Sequence, residues 1–148
     1  MAEQPGAVLF ACNFNRVRSP MAEALMKLHF GTRIYVDSCG VAPDPALDPF
    51  VTVVMDEMGA DLAGHRPKTF ADLSDGSFDV VVSFTPQAQH HAVEMSRGRA
   101  VDIDYWPVSD PTLVEGSREA RLDAYRRTRD EIQAKIIQRF GRPSTPGG

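Results

Sequence analysis

An unbroken apolar run, Ala7 to Ala11, passes directly into the polar stretch Cys12 to Ser19, after which Met21, Ala24, Leu25 and Leu28 recur at helical spacing. That change of period predicts a buried strand, a tight loop and a helix in immediate succession. It commits the chain to sheet-and-helix architecture from its first elements. The same alternation continues. Arg33 to Ser38 reads as a second strand, and a loop rich in Pro and Asp leads to a helix from Leu47 to Met58 ended by Gly59. Asp79 to Phe84 supplies a third strand, whose Val80, Val81 and Val82 suit a parallel sheet covered on both faces. Thr85 to Glu94 is expected to be helical, Ala100 to Asp104 a short fourth strand, and Leu122, Tyr125, Ile132, Ile136 and Phe140 the buried stripe of one long helix. Pro20 suits the first turn of the first helix, with Ser19 as its cap, and Gly31 should end it.

Strands alternating with helices predict an α/β fold: one open, parallel, four-stranded sheet with helices on both faces, in three layers. With 148 residues, 43% of them hydrophobic, a single domain over residues 1–141 is expected, followed by a flexible tail at 142–148 built of Pro, Ser and Gly. In such sheets ligands bind at the carboxyl ends of the strands, where Cys12 stands. The net charge of −4 and sixteen scattered Lys and Arg residues argue against nucleic acid as a partner. No apolar run approaches the roughly 20 residues that span a bilayer. Met1 to Gly6 lacks the basic start and apolar core of a secretory signal, so no membrane partner and a cytoplasmic location are expected. Two cysteines in such a chain do not suggest a disulfide framework.

The loop Cys12-Asn13-Phe14-Asn15-Arg16-Val17-Arg18-Ser19 carries the chemistry. A loop between a strand and a helix N-terminus aims several main-chain N–H groups at one point, and the helix dipole favours negative charge there. A thiol at the head of such a loop is favoured in its ionised, nucleophilic form by that field and by the guanidinium of Arg18. Arg18 can pair two oxygens of a tetrahedral oxyanion with its planar fork, which Lys cannot. Ser19 can donate its hydroxyl to the Cys12 sulfur and ease its departure. Asn15 is a residue type that tolerates the positive φ a tightly wound loop needs.

Cys12, five residues, Arg18 and Ser19, followed by Pro20-Met21-Ala22-Glu23-Ala24, resemble the signature of the low-molecular-weight protein tyrosine phosphatases. The resemblance runs from Val8 to Phe140 and is concentrated in Cys12 to Ala24 and around Asp110. It implies phosphomonoester hydrolysis through a phosphocysteine on Cys12, with Arg18 and the loop residues Asn13 to Val17 and Ser19 binding the phosphate. It also implies a general acid and base in an Asp-Pro pair, here Asp110-Pro111. A carboxylic acid is the right type, since an oxygen departing from phosphorus needs a proton. Asp44-Pro45 and Asp48-Pro49 read as turns. Ser38 and His65 resemble the serine and histidine that brace the loop asparagine, here Asn15. The partners implied are a phosphorylated protein or small phosphomonoester, with phosphate, arsenate and vanadate as ligands or inhibitors, and no metal or organic cofactor.

Three departures keep alternatives open. Phe14 stands where the family has glycine, and forms a wall of the mouth; it also invites the reading of a non-catalytic anion-binding regulatory protein. Thr112 and Leu113 follow Asp110-Pro111 where phosphotyrosine-specific members carry aromatics. Tyr105 to Pro111, with Val114 to Ser117, is more similar to the arsenate reductase branch. Thioredoxin-coupled reductases of that branch use two further cysteines after the third strand, and Ser83 to Met95 has none, so arsenate reduction would need an external thiol or a glutaredoxin-type reductant. Cys39 reads as a small packing residue. His90 and His91 are adjacent rather than spaced for one metal, Met55 and Met58 read as core contacts, and Arg118 to Arg129, interleaved with acids, read as a solvated helix face.

Overall fold

The computed structural model describes residues 4–42, 44, 46–73 and 76–141; the tail expected at 142–148 lies outside them. Four strands, β1 (Ala7–Cys12), β2 (Tyr35–Gly40), β3 (Val80–Ser83) and β4 (Asp102–Tyr105), form one parallel sheet in the order β2-β1-β3-β4. The helices between and after them are α1 (Arg18–Phe30), α2 (Pro49–Asp56), α3 (Pro86–Met95) and α4 (Arg118–Phe140). The expected α/β architecture is the one observed.

The period of two in β1 divides the core. Val8, Phe10 and Cys12 face α1, α2 and α4, where Met21, Leu25, Met55, Ile132 and Ile136 are sealed from solvent. Leu9 and Ala11 face the other way, against Ala88 and Ala92 of α3. Phe10 packs between Phe84 and Trp106, with ring centroids 6.2 and 6.0 Å away. A strand apolar at every position is thus buried on both sides, which fixes β1 in the centre and its carboxyl end at the middle of one edge.

Most boundaries shift by one or two residues from expectation, and three of the differences have a clear physical cause. The second strand begins at Tyr35 rather than Arg33 and runs on through Cys39 to Gly40, because Ala11 and Cys12 pair with those two residues. Helix α1 begins at Arg18, so Ser19 lies inside its first turn and is not its cap; the capping position is Val17, which makes no side-chain cap. Asp48-Pro49 opens α2 instead of forming a turn: the Asp48 carboxylate accepts from the Phe50 N–H at 2.9 Å, and proline occupies the first helical position, where no N–H is needed. Asp44 does accept from the Ala46 N–H at 3.1 Å, as in a turn, while Pro45 lies outside the described residues.

Candidate active site

Strand β1 delivers Cys12 to the carboxyl edge of the sheet, and six residues later the chain is already helical. The connecting loop must therefore coil tightly. Among the described residues, Asn15 is the only non-glycine with positive φ, at 56°. Phe14, beside it, does not take positive φ. It is 49% exposed and lines the mouth.

Asn15 is fully buried and its side chain is used completely. Its amide donates to the Ser19 and Ser38 hydroxyls, each at 2.9 Å, and its Oδ1 accepts from the Lys68 N–H at 3.0 Å. The Asn15 carbonyl lies 3.2 Å from His65 Nε2. Ser19 Oγ accepts from Asn15, lies 2.8 Å from Cys12 Sγ in a contact either group can donate to, and lies 3.4 Å from the Cys39 carbonyl. Among the described residues, the main-chain N–H groups of Phe14, Asn15, Arg16 and Val17 have no protein acceptor. These four donors lie on the loop whose head is Cys12.

A pocket of about 150 Å³ opens above the loop, lined by Cys12, Asn13, Phe14, Arg16, Val17 and Arg18, together with Asp110 and Thr112 from the far end of the chain. Arg18 reaches across to that second segment: Nη1 donates to the Val108 carbonyl at 3.2 Å, and Nη2 lies 3.8 Å from Asp110 Oδ2. Asp110 in turn accepts from the Thr112 N–H at 3.0 Å and the Thr112 hydroxyl at 2.6 Å, which opens a single 3-10 turn, Pro111–Leu113. The Asn13 side chain points elsewhere, its Oδ1 accepting at 2.8 Å from the Thr85 hydroxyl that also caps α3.

Two supports had little sign in the sequence. Glu23, almost fully buried on α1, accepts a hydrogen bond from the Ser38 hydroxyl and from Lys27, and its carboxylate lies 4.0 Å from His65 Nδ1. The signal that could have found it is an acid among Met21, Ala22, Leu25 and Met26, where an unpaired charge would be costly. Gly40 is the other. A Cβ there would stand 2.7 Å from Asn15 N and Phe14 C, so the β2 edge can hold the loop only by lacking a side chain. From that edge, Val41 N–H donates to the Cys12 carbonyl at 3.1 Å and Ala42 N–H to the Asn13 carbonyl at 2.9 Å.

Cys39 pairs with Ala11 in the sheet and therefore presents its sulfur to the α3 side, opposite Cys12. Burial, and then the neighbouring charge of Cys12, pushes its thiol up and out of the range of ionisation at neutral pH. It packs; it does not face the pocket.

A parallel α/β sheet with a cysteine heading an arginine-closed loop at its carboxyl edge defines a class of cysteine-based enzymes acting on tetrahedral oxyanions. Residues 7–142 match the family model for low molecular weight phosphotyrosine protein phosphatase, and the chain belongs to that family. Its relatives carry two kinds of name. The arsenate reductase of Shouchella clausii strain KSM-K16 is 29% identical over 130 residues, covering 87% of this chain and 91% of that protein. The glutaredoxin arsenate reductase of Synechocystis sp. is 26% identical over 129 residues, with 87% and 92% covered. Among solved structures, the low molecular weight protein tyrosine phosphatase from T. tengcongensis superposes with a TM-score of 0.72 at 25% identity, covering 89% of this chain and 95% of that one. Among the described residues, no helix is long and apolar enough to cross a membrane.

Proposed function

We propose that this chain hydrolyses phosphomonoesters through a phosphocysteine on Cys12. The observation that carries the reading is that Cys12, Arg18 and Asp110 line one small pocket, with the Ser19 hydroxyl 2.8 Å from the sulfur. The Cys12 thiolate attacks phosphorus in line, and Asp110 gives a proton to the departing oxygen. Arg18 and the free loop N–H groups take up the charge on the equatorial oxygens. Water then attacks the phosphocysteine with Asp110 as base, phosphate leaves, and the Ser19 hydroxyl stabilises the departing sulfur. Ser38 and His65 hold Asn15, and through it the loop, before the substrate arrives. The expected activity is metal-independent hydrolysis of an aryl phosphate, inhibited by phosphate and vanadate. Cys12→Ser abolishes it, and Asp110→Asn slows it by about 10²- to 10⁴-fold. Activity that survives Cys12→Ser, or that a chelator removes, refutes the reading.

The names of the curated relatives favour a second reading, arsenate reduction. Cys12 would attack arsenate with loss of water. An external thiol would then attack the Cys12 sulfur, releasing arsenite and leaving a mixed disulfide for a second thiol to reduce. With Cys39 on the far face of the sheet, both electrons must come from outside, from a small thiol or a glutaredoxin-type partner. Assaying aryl phosphate and arsenate plus thiol in parallel decides the order: arsenite formed faster than phosphate is released makes the reductase reading the primary one.

A further inference from the structure

Beside the catalytic pocket lies a second groove, of about 370 Å³, between α2 and the first turns of α4. The two share Arg16 and Thr112, so a molecule in the pocket can extend into the groove without leaving the surface. Phe50 and Tyr125 give the groove its aromatic lining, the two rings meeting edge to face with centroids 5.3 Å apart. Arg121 and Arg118 lie over the Phe50 ring, their guanidinium carbons 4.7 and 5.5 Å from its centroid.

The arginines of α4 fall into two kinds. Arg126 is held by Glu57, Glu119 and Asp123, Arg129 by Glu57 and Asp130, and Arg139 by Asp102 and Asp104. Arg118, Arg121 and Arg127 have no carboxylate partner among the described residues, and of these three only Arg118 and Arg121 lie over the Phe50 ring. A guanidinium stacked on a ring keeps its N–H fork directed outward, where a carboxylate can meet it. Arg16 adds a third guanidinium at the junction with the pocket; its Nε is buried and lacks a hydrogen-bond partner among the described residues.

The acids nearby do not cancel this. Asp48 already receives the Phe50 N–H and, at 2.6 Å, the Tyr125 hydroxyl. Burial, and then that hydrogen bond, pushes the Tyr125 phenol up, so it stays neutral. Asp44 lies 3.8 Å from Arg16, and Glu119 is turned to Arg126. Three guanidiniums against Asp44 and Asp48 leave the rim positive on a chain whose net charge is −4.

We propose that this groove is a specificity subsite for a carboxylate: the chain prefers phosphorylated peptides that carry an acidic side chain close to the phosphorylated residue, read by Arg118 and Arg121. The proposal rests on the phosphatase reading and names the kind of substrate it acts on. Its test uses Cys12→Ser protein and fluorescent phosphotyrosyl peptides with either glutamate or glutamine at the two positions on each side. The glutamate peptide should bind about fivefold more tightly at low salt, as expected for exposed ion pairs, with the preference shrinking as salt is raised. It should vanish in Arg118→Gln/Arg121→Gln, whose melting temperature and affinity for the glutamine peptide stay unchanged. Equal affinities, no binding of either peptide, or a preference that survives the double substitution overturns the subsite. Wild-type turnover of a small aryl phosphate lacking a second anion is measured alongside. Its absence refutes the phosphatase reading, while the ratio of peptide affinities still decides the groove.

Discussion

At the scale of single residues, the candidate pocket is shaped by side chains that do not line it. Asn15 spends its amide on Ser19 and Ser38 and its carbonyl oxygens on Lys68 and His65, so the loop is held in its coiled shape by the protein alone. Gly40 permits that arrangement by omission, because any Cβ would press on backbone rather than on a flexible side chain. Gly40→Ala is therefore expected to shift the loop and lower kcat/KM by about 10²-fold, the scale associated with displacing a catalytic group by about 1 Å. Circular dichroism should show the fold retained, and kinetics with an aryl phosphate should show the loss; undiminished kcat/KM would mean that the β2 edge does not set the loop. Cys12, Arg18, Ser19 and Asn15 could be singled out from residue type and spacing, and Asp110 through the family resemblance; the fold brings Cys12, Arg18 and Asp110 to one pocket. Gly40 and Glu23 could not be, since their roles arise only when β2 and α1 are brought against the loop. Ser19 was legible in part: its hydroxyl stands by the Cys12 sulfur as expected, but the capping position is Val17, because the helix already begins at Arg18.

At the scale of elements, the four strands and four α-helices were visible in the sequence, the 3-10 turn Pro111–Leu113 was not, and the boundaries moved where tertiary contacts decide them. β2 extends to Gly40 because β1 continues beside it, and Asp48-Pro49 starts α2 because the Tyr125 hydroxyl and the Phe50 N–H both need its carboxylate. The long helix α4 is fastened to α2 through Glu57, which receives Arg126 Nη2 at 2.8 Å and Arg129 Nη1 at 2.9 Å. Those hydrogen bonds, Arg126 first and Arg129 second, hold the Glu57 carboxyl down from its ordinary 4.5 to about 2. A depressed folded value means that Glu57 stabilises the fold above pH 4.5 and loses that contribution as pH falls toward 2. Thermal melts should show wild type more stable than Glu57→Gln near neutrality, with the two curves converging between pH 4.5 and 2. A gap that persists at the acid end would assign the effect to packing instead. The arginine-rich face that reads in sequence as merely solvated is thus divided, one part clamping α2 and the other left free over Phe50.

At the scale of the whole molecule, the sheet's job is to bring Cys12 and Asp110 from distant parts of the chain to one edge, where Arg18 touches both the loop and the Val108–Asp110 segment. The family was recoverable from the first two dozen residues, because Cys12, Arg18, Ser19 and Pro20 to Ala24 carry its signature. The branch within the family was not, because phosphate and arsenate present the same tetrahedral shape and the distinction lies in what reaches the sulfur next. Placing Cys39 on the opposite face of the sheet narrows that choice to water or an external thiol. The most direct measurement is a rapid quench of wild-type protein turning over an aryl phosphate in the absence of thiol, followed by peptide mass analysis. A phosphoryl group on the Cys12 peptide, formed at least as fast as phosphate is released, is the predicted result. Phosphate release with the Cys12 peptide unmodified throughout, or with the phosphoryl group on another residue, would contradict it.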